Sequence, residues 1–216
     1  MELLTPTPDE LRAADRAAEL TLAVAEPSLS RLLLLFSRGC FVRVVTGHTV
    51  RQTLLEQLGV TPEYLEKEIK IIFLDSSPVD DVSRARVHEG ATLALSAAMP
   101  GLVGAAMRRD GLSWMRSSIT YQEQKEEASP RDGLIFLKLF NKVMEDLGEP
   151  LFRRGVYVGA DALFGFLDHL DERFWGDARL ELNGHPHSRE ALFARRAELG
   201  PWVKLGLVSD PSPRTP

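Results

Sequence analysis

The stretch TVRQTLLEQLGVTPEYLEKEIKIIFLDSSPVDD, residues 49 to 81, decides the predicted fold class. Thr49 is a favourable N-cap residue, and Gly59 is a favourable residue for ending a helix. Between them, four apolar side chains recur at the spacing of one helix face. They are Val50, Leu54, Leu55 and Leu58. The first third of the stretch therefore predicts an amphipathic helix with these leucines in a core.

The rest of the stretch predicts a second short helix and two strands. Thr61 precedes Pro62, which is favourable at the first position of a helix. The apolar run at 69–74 predicts a strand, and a Ser-Ser-Pro turn leads to a short strand around Val79. The change from helical to strand periodicity within one stretch indicates an α+β domain.

The flanking residues extend this pattern in both directions. Upstream, RLLLLF and CFVRVV predict two antiparallel strands, 31–36 and 40–46, joined by a Ser-Arg-Gly turn. Downstream, VHEGATLALSAA predicts a Glu-Gly turn and a last strand at 91–97. The predicted order over residues 30–99 is strand, strand, helix, strand, short strand, strand.

This order resembles the β-grasp, or ubiquitin-like, fold. Within that fold it is most similar to the small sulfur-carrier proteins of molybdopterin and thiamine synthesis. The features that carry the resemblance are the helix TVRQTLLEQLG, the turn IIFLDSSPVDD and the segment VHEGATLALSAA. The resemblance implies a mixed sheet around the 49–58 helix. It also implies binding through an exposed sheet face or sheet edge.

The chain departs from the carriers after the last predicted strand. Sulfur carriers end in a free Gly-Gly, whose carboxylate is adenylated and thiolated. Here SAAMPGLVGAAMRRDG takes that place, and Gly101 and Gly104 are not adjacent. The carrier chemistry is therefore not expected. We interpret residues 100–121 as a connector, with Pro100 fixing a turn and residues 102–107 forming a short buried helix.

Two further portions complete the predicted organisation. Residues 1–29 are expected to form an N-terminal helix from Thr7, with an apolar stripe that includes Ala18 and Leu22. Residues 122–216 are expected to form a mixed α/β domain. Its predicted helices are one capped by Ser129 that continues to Gly148, one over 163–174 and one over 188–199. Its predicted strands are GVYV, ARLEL and WVKLGLV.

Composition excludes several classes of function. The 216 residues carry a formal net charge of −5, which argues against nucleic-acid binding. A single cysteine cannot form an intramolecular disulfide, and the acidic N-terminus does not resemble a signal peptide, so a cytoplasmic location is expected. The uncharged run at 91–107 is cut by Pro100 and Gly101, so a membrane span is not expected.

The glycine-rich segment is the strongest local candidate for a ligand site. A helix that begins near Gly101 and includes Gly104 would present free N–H groups to a small anion. Arg108 and Arg109 follow it and add positive charge. Close packing of small residues explains the same glycines, and both interpretations stay open.

Histidines and the cysteine suggest weaker alternatives. His169, His185 and His187 could supply metal ligands, although a turn and a helix cap explain the local sequence, and no metal is predicted. Cys40 could pair with His48 as a nucleophile, but a buried, inert thiol is the simpler interpretation. No catalytic set and no cofactor are predicted.

The sequence therefore favours a non-catalytic interaction or regulatory module. Its expected partner is another protein or a second copy of the chain, with no nucleic acid and no membrane. The alternative is an enzyme that binds a small anion or nucleotide at a site between the two halves.

Overall fold

The structure is a computed structural model that describes residues 14, 16–24, 26–99, 101, 104, 107–109, 120–121 and 129–209. These residues form a mixed α+β protein. The strands are β1 (Ala18–Val24), β2 (Cys40–Thr46), β3 (Ile71–Leu74), β4 (Ser77–Pro78), β5 (Thr92–Ser96), β6 (Arg131–Phe140), β7 (Val156–Gly159), β8 (Arg179–Leu182), β9 (His185–His187) and β10 (Trp202–Ser209). The α-helices are α1 (Glu26–Leu33), α2 (Leu35–Arg38), α3 (Val50–Gln52), α4 (Pro62–Lys67), α5 (Asn141–Arg154), α6 (Ala160–Leu167), α7 (Glu172–Asp177) and α8 (Arg189–Ala194). A π-helical turn, Thr53–Gln57, continues α3, and a 3₁₀ turn, Arg196–Glu198, follows α8.

The chain divides into two compact units. The first takes its described residues from 36–148, and the second takes them from 8–35 and 149–216. This division differs from the predicted boundary at residue 122, because β6 belongs with the first unit. It also differs at the N-terminus, because β1 belongs with the second unit.

Five strands form the sheet of the first unit. β2 is antiparallel to β6, β6 is parallel to β5, β5 is antiparallel to β3, and β3 is antiparallel to β4. The order is therefore β4-β3-β5-β6-β2. β6 lies between β5 and β2, so its backbone N–H and C=O groups are used on both edges.

The helix predicted from Thr49 is confirmed, together with its cap. The Thr49 hydroxyl accepts a hydrogen bond from the Gln52 backbone N–H at 3.2 Å, and Gln52 Oε1 accepts one from the Thr49 N–H at 3.0 Å. This reciprocal pair is a capping box. The Gln57 side chain bonds both the N–H and the C=O of Val45, at 2.5 and 3.2 Å, and so fastens the π-helical turn to β2.

One face of this sheet is buried along most of its length. Its side chains alternate along each strand with those of the other face. They are Cys40, Val42, Val44, Ile72, Leu74, Leu93, Leu95, Ile135, Leu137 and Leu139, with relative exposures of 0 to 3%. Leu54 and Leu58 are also buried, at 0 and 4%. Leu55, which was expected in the core with them, is only half-buried.

Two predicted elements of this region are wrong. Residues 31–36 were expected to be a strand paired with β2, but they lie in α1 and α2 and the turn between them. A helix was expected after Ser129, but β6 occupies 131–140 and the helix α5 begins only at Asn141. β2 therefore pairs with β6 and does not form a hairpin with the residues before it.

Five strands of the second unit pair with one another. β10 is parallel to β1 and antiparallel to β7, while β8 is antiparallel to β1 and to β9. The order is β7-β10-β1-β8-β9. The predicted N-terminal helix is wrong over 18–24, because this segment is a strand with Leu20 and Leu22 fully buried. The part of that prediction on residues 1–13 lies outside the described residues.

The remaining predictions for the second unit are largely confirmed. The strands predicted at GVYV, ARLEL and WVKLGLV are β7, β8 and β10. Ser188 caps α8 as expected, accepting a hydrogen bond from the Ala191 N–H at 3.2 Å. The single helix predicted over 163–174 is instead two helices, because Asp171 begins a new one by accepting the Phe174 N–H at 3.0 Å.

The predicted Glu-Gly turn before β5 is present and is held by side chains. Gly90 adopts a φ of 74°, a conformation that favours glycine. Glu89 Oε1 accepts the Leu134 N–H of β6 at 2.9 Å. His88 Nε2 lies 2.7 Å from Asp75 Oδ2, and His88 Nδ1 lies 2.9 Å from the Glu89 carbonyl oxygen. Both ring nitrogens of His88 thus face oxygen acceptors, which favours the doubly protonated ring.

We expect His88 to make the stability of the protein depend on pH. The hydrogen bond to Asp75 raises the pKa of His88 above its ordinary value of 6.5, against the opposing effect of burial. A raised folded-state pKa contributes stability below pH 6.5 that is lost as the pH rises through the raised value. Thermal unfolding across this range should show wild type losing stability relative to His88→Gln. Parallel pH profiles for the two proteins would contradict this role.

Candidate binding surface

The second face of the first sheet is more accessible than the core face. Register places Phe73 of β3 beside Ala94 of β5, and Ala94 beside Lys138 of β6. All three side chains are half-buried, although their strand neighbours on the opposite face are buried. Phe136 and Phe140 lie on the same face of β6 and are also half-buried. We call Phe73, Ala94, Phe136, Lys138 and Phe140 the open sheet face.

A cavity of about 240 Å³ lies at one end of the open sheet face. It is located where β5 and β6, which are parallel, reach their carboxyl ends, a place where α/β sheets often bind ligands. Most of the side chains that line it are apolar. The lining residues are Ile71, Phe73, Ala94, Leu95, Ser96, Ala98, Met99, Phe140 and Asn141.

The polar groups of the cavity are hydrogen-bonded to one another. Asn141 Nδ2 donates to the Ala98 carbonyl oxygen at 2.7 Å and to Ser96 Oγ at 3.2 Å. Ser96 Oγ donates in turn to the same carbonyl at 2.8 Å. Asn141 reaches this position with a φ of 54°, a left-handed conformation that asparagine tolerates better than most residues. The network fixes the end of β5 to the start of α5 and leaves the walls of the cavity apolar.

Positive charge lies on the same sheet face as this cavity. Lys138 is on β6 between the two phenylalanines, with its ammonium nitrogen 5.6 Å from the centre of the Phe136 ring. Phe136 also contacts Phe41 of β2, with ring centres 5.0 Å apart. Arg43, on the same face of β2, is exposed. The surface therefore combines aromatic rings with cationic groups, an arrangement in which the stem of a lysine can cover apolar area.

The residues predicted to bind an anion have different environments in the structure. Arg109 donates from Nη1 to the carbonyl oxygens of Leu65 and Ile69, at 3.1 and 3.3 Å, close to the end of α4. Its guanidinium thus satisfies helix-terminal carbonyls, a structural use of the charge. Gly101 and Arg108 are exposed, and for them anion binding stays a prediction.

Gly104 has a packing role, which was the other interpretation of the glycine-rich segment. It is buried, and a Cβ atom added to it would overlap the carbonyl group of Met99. Met99 lines the cavity. Gly104 is therefore needed for close packing behind a wall of the candidate site. Some of the residues that were predicted to form the connector lie outside the described residues. They are Pro100 and residues 102–103 and 105–106.

His169 and His187 each have one ring nitrogen beside a backbone oxygen. His169 Nδ1 lies 2.6 Å from the Gly165 carbonyl oxygen, and His187 Nδ1 lies 2.8 Å from that of His185. The described residues hold no group of three or more His, Cys, Asp or Glu side chains suited to a metal ion. Each of these ring contacts is with a backbone oxygen close in sequence.

Cys40 is inaccessible in the folded protein. It lies at the start of β2 with a relative exposure of 0%, and burial raises the pKa of its thiol. His48 follows the end of the same strand, and its Nδ1 lies 3.1 Å from Gln57 Nε2. The thiol is therefore held in its neutral form, the less reactive one.

The open sheet face was not predicted as a site from the sequence. Phe73 was placed on a strand, but Phe136 and Phe140 were assigned to a helix, where they would lie on a different surface. The available signal was the alternation of buried and half-buried residues from 135 to 140. That alternation is hard to recognise in the sequence, because five of these six residues are apolar.

None of the described helices has both the length and the apolar character needed to cross a bilayer. Comparisons with protein-family models, curated proteins and solved structures find no match to this chain.

Proposed function

We propose that the first unit is a non-catalytic interaction module of the β-grasp type. It binds a peptide segment of another protein on the open sheet face. The observation that carries this proposal is the cavity beside Phe73 and Phe140, whose walls are apolar and whose polar atoms are hydrogen-bonded to one another. Such a cavity favours burial of an apolar group and offers no acid, base or thiol among its described lining residues.

The order of the strands supports the β-grasp part of the proposal. If β6 is taken as the first strand, the unit reads strand, strand, helix, strand, short strand, strand, through β6, β2, the helical segment 50–67, β3, β4 and β5. β6 and β2 are antiparallel, as the strands of the expected first hairpin would be. In this interpretation, residues 131–140 replace 31–36 as the first strand, which gives a permuted order along the chain.

The distribution of burial supports binding on one particular face. The core face is largely buried, so a partner that binds a face of this sheet would use the opposite one. Three aromatic side chains are half-buried there, and aromatic residues are frequent anchors in protein interfaces. A β-grasp unit that works through its sheet face would use these residues.

Selection of peptides from a random display library can test the proposed function. Peptides selected on the wild-type protein should lose at least about tenfold in affinity for Phe73→Ala, the loss expected on removal of a central anchor. They should also lose affinity for Ala94→Leu, which fills the surface without removing a large side chain. Val208→Ala is the control, because Val208 is an apolar residue on β10 that is 53% exposed.

Circular dichroism and thermal unfolding must show that the variants are folded before affinities are compared. If the selected peptides bind both open-face variants as tightly as wild type, the open sheet face is not the binding surface. Failure to select any peptide that binds would equally contradict the proposal.

A further inference from the structure

We infer that the partner segment is acidic and that it inserts one apolar side chain into the cavity beside Lys138. This inference rests on the proposed function, and it adds the chemistry of the partner. Three properties of the surface support it: the volume of the cavity, the neutrality of its lining, and the sign of the charges on the same sheet face.

The volume of the cavity limits what can enter it. At about 240 Å³ it is larger than the roughly 150 Å³ cavity that accommodates benzene. It is smaller than the roughly 300–1,000 Å³ pockets that enclose drug-sized ligands. One side chain of the size of leucine or phenylalanine matches this volume. A nucleotide or a large cofactor would extend well beyond it.

The lining of the cavity specifies that the inserted group is uncharged. Among its described lining residues, Ser96 and Asn141 are the only ones with polar side chains, and both are used in the network with the Ala98 carbonyl oxygen. A charged group that entered would lose water without gaining an opposite charge, which is unfavourable. An aliphatic or aromatic side chain gains from leaving water and needs no partner there.

The charges on the sheet face outside the cavity determine which residues of the partner should flank the inserted side chain, which we call the anchor. Strand register puts Lys138 on this face two residues from Phe140, which lines the cavity, whereas Arg43 and the one carboxylate at a strand position of this face, Asp132, lie further along the sheet from the cavity. Asp132 pairs with Val45 at the end of β6 away from the cavity. The chain as a whole has a formal charge of −5, so the positive character of this face is a local feature. Complementarity therefore favours Asp or Glu beside the anchor.

Three synthetic peptides that differ only beside the anchor can test the inference. A central leucine is flanked by glutamates in the first peptide, by glutamines in the second and by lysines in the third, each with a fluorescent label at one end. At low ionic strength, the glutamate peptide should bind about 3–10-fold tighter than the lysine peptide, as expected for a few partly exposed charge pairs. The difference should shrink as salt is added, because salt screens exposed charges.

Charge reversal on the protein provides the matched comparison. Lys138→Glu should reduce or invert the preference for the glutamate peptide. Lys67→Glu changes the net charge equally, but Lys67 is an exposed residue in the last turn of α4 and does not lie on the sheet. It should leave the preference unchanged. Replacing the central leucine with serine in the glutamate peptide should abolish binding.

The outcomes separate this inference from the proposed function. If peptides bind on the open sheet face but show no preference for acidic flanks, the inference is wrong and the interaction module stands. If Lys67→Glu changes the preference as much as Lys138→Glu, the effect comes from net charge and the inference is also wrong. If neither these peptides nor library peptides bind, the proposed function itself fails.

Discussion

Replacement of Leu54 with alanine should lower the free energy of unfolding by about 2–5 kcal/mol, the cost of a large truncation in a core. Leu54 lies in the π-helical turn, where its side chain has a relative exposure of 0%. The turn is fixed at both ends, by the capping box at Thr49 and by the hydrogen bonds from Gln57 to Val45. The surroundings of Leu54 therefore cannot easily collapse into the space that the truncation leaves. Urea denaturation measures the change.

Leu55 provides the matched control for this experiment. It has the same side chain and lies in the same helical turn, but it is only half-buried. Leu55→Ala should therefore cost clearly less than Leu54→Ala, because less apolar surface is returned to water. Equal losses for the two variants would mean that Leu55 contributes to the core as much as Leu54. A negligible loss for Leu54→Ala would mean that this helical segment is not part of the core.

Local chemistry made the first unit partly predictable. The cap at Thr49, the proline after Thr61 and the glycine at position 90 each fix a backbone conformation within a few residues. Such signals do not depend on the rest of the fold, so α4, β3 and β5 appear close to where the sequence predicts them. The π-helical turn was not predicted, and its hydrogen bond from the Leu58 N–H to the Thr53 carbonyl oxygen shifts the helix face by one residue. This shift explains why Leu55 is half-buried.

The largest error concerns β6, and its cause is tertiary pairing. The segment LIFLKLF has so many apolar residues that both strand and helix periodicities fit it. Ser129 and Pro130 strengthened the helical interpretation, since they are typical of a helix start. In the fold, the segment pairs with β2 on one edge and β5 on the other, and these partners are distant in sequence. Local pattern alone could not reveal them.

The same ambiguity explains the errors near the N-terminus. RLLLLF contains uninterrupted apolar residues, which suit a buried helix as well as a strand. In 18–24, the alternation of Leu20, Leu22 and Val24 indicates a strand, but Ala18 and Leu22 also satisfy a four-residue spacing. Pairing with β10 on one edge and β8 on the other determines the strand. The open sheet face was not predicted for the same reason, because it forms only when β6 pairs with β5.

Replacement of Gly104 with alanine should destabilise the protein and also weaken binding at the cavity. The added Cβ atom would overlap the carbonyl group of Met99, which is backbone and cannot move aside as a side chain can. We expect a loss of about 1–3 kcal/mol, as for overpacking of a core, measured by urea denaturation. Met99 lines the cavity, so the displacement should also change its shape. Affinity for a peptide selected on the wild-type protein should fall in parallel.

Gly165 provides a control that separates this clash from a general effect of removing glycine. It lies within α6, has no positive φ, and would accept a Cβ atom with nothing within 4 Å. Gly165→Ala should therefore leave stability unchanged or raise it by about 0.5–1 kcal/mol, because alanine is the better helix former. The two substitutions are chemically identical, but only Gly104→Ala should destabilise the protein. If Gly104→Ala is as stable as wild type and binds the peptide normally, Gly104 does not hold Met99 in place, and the cavity wall depends on other contacts.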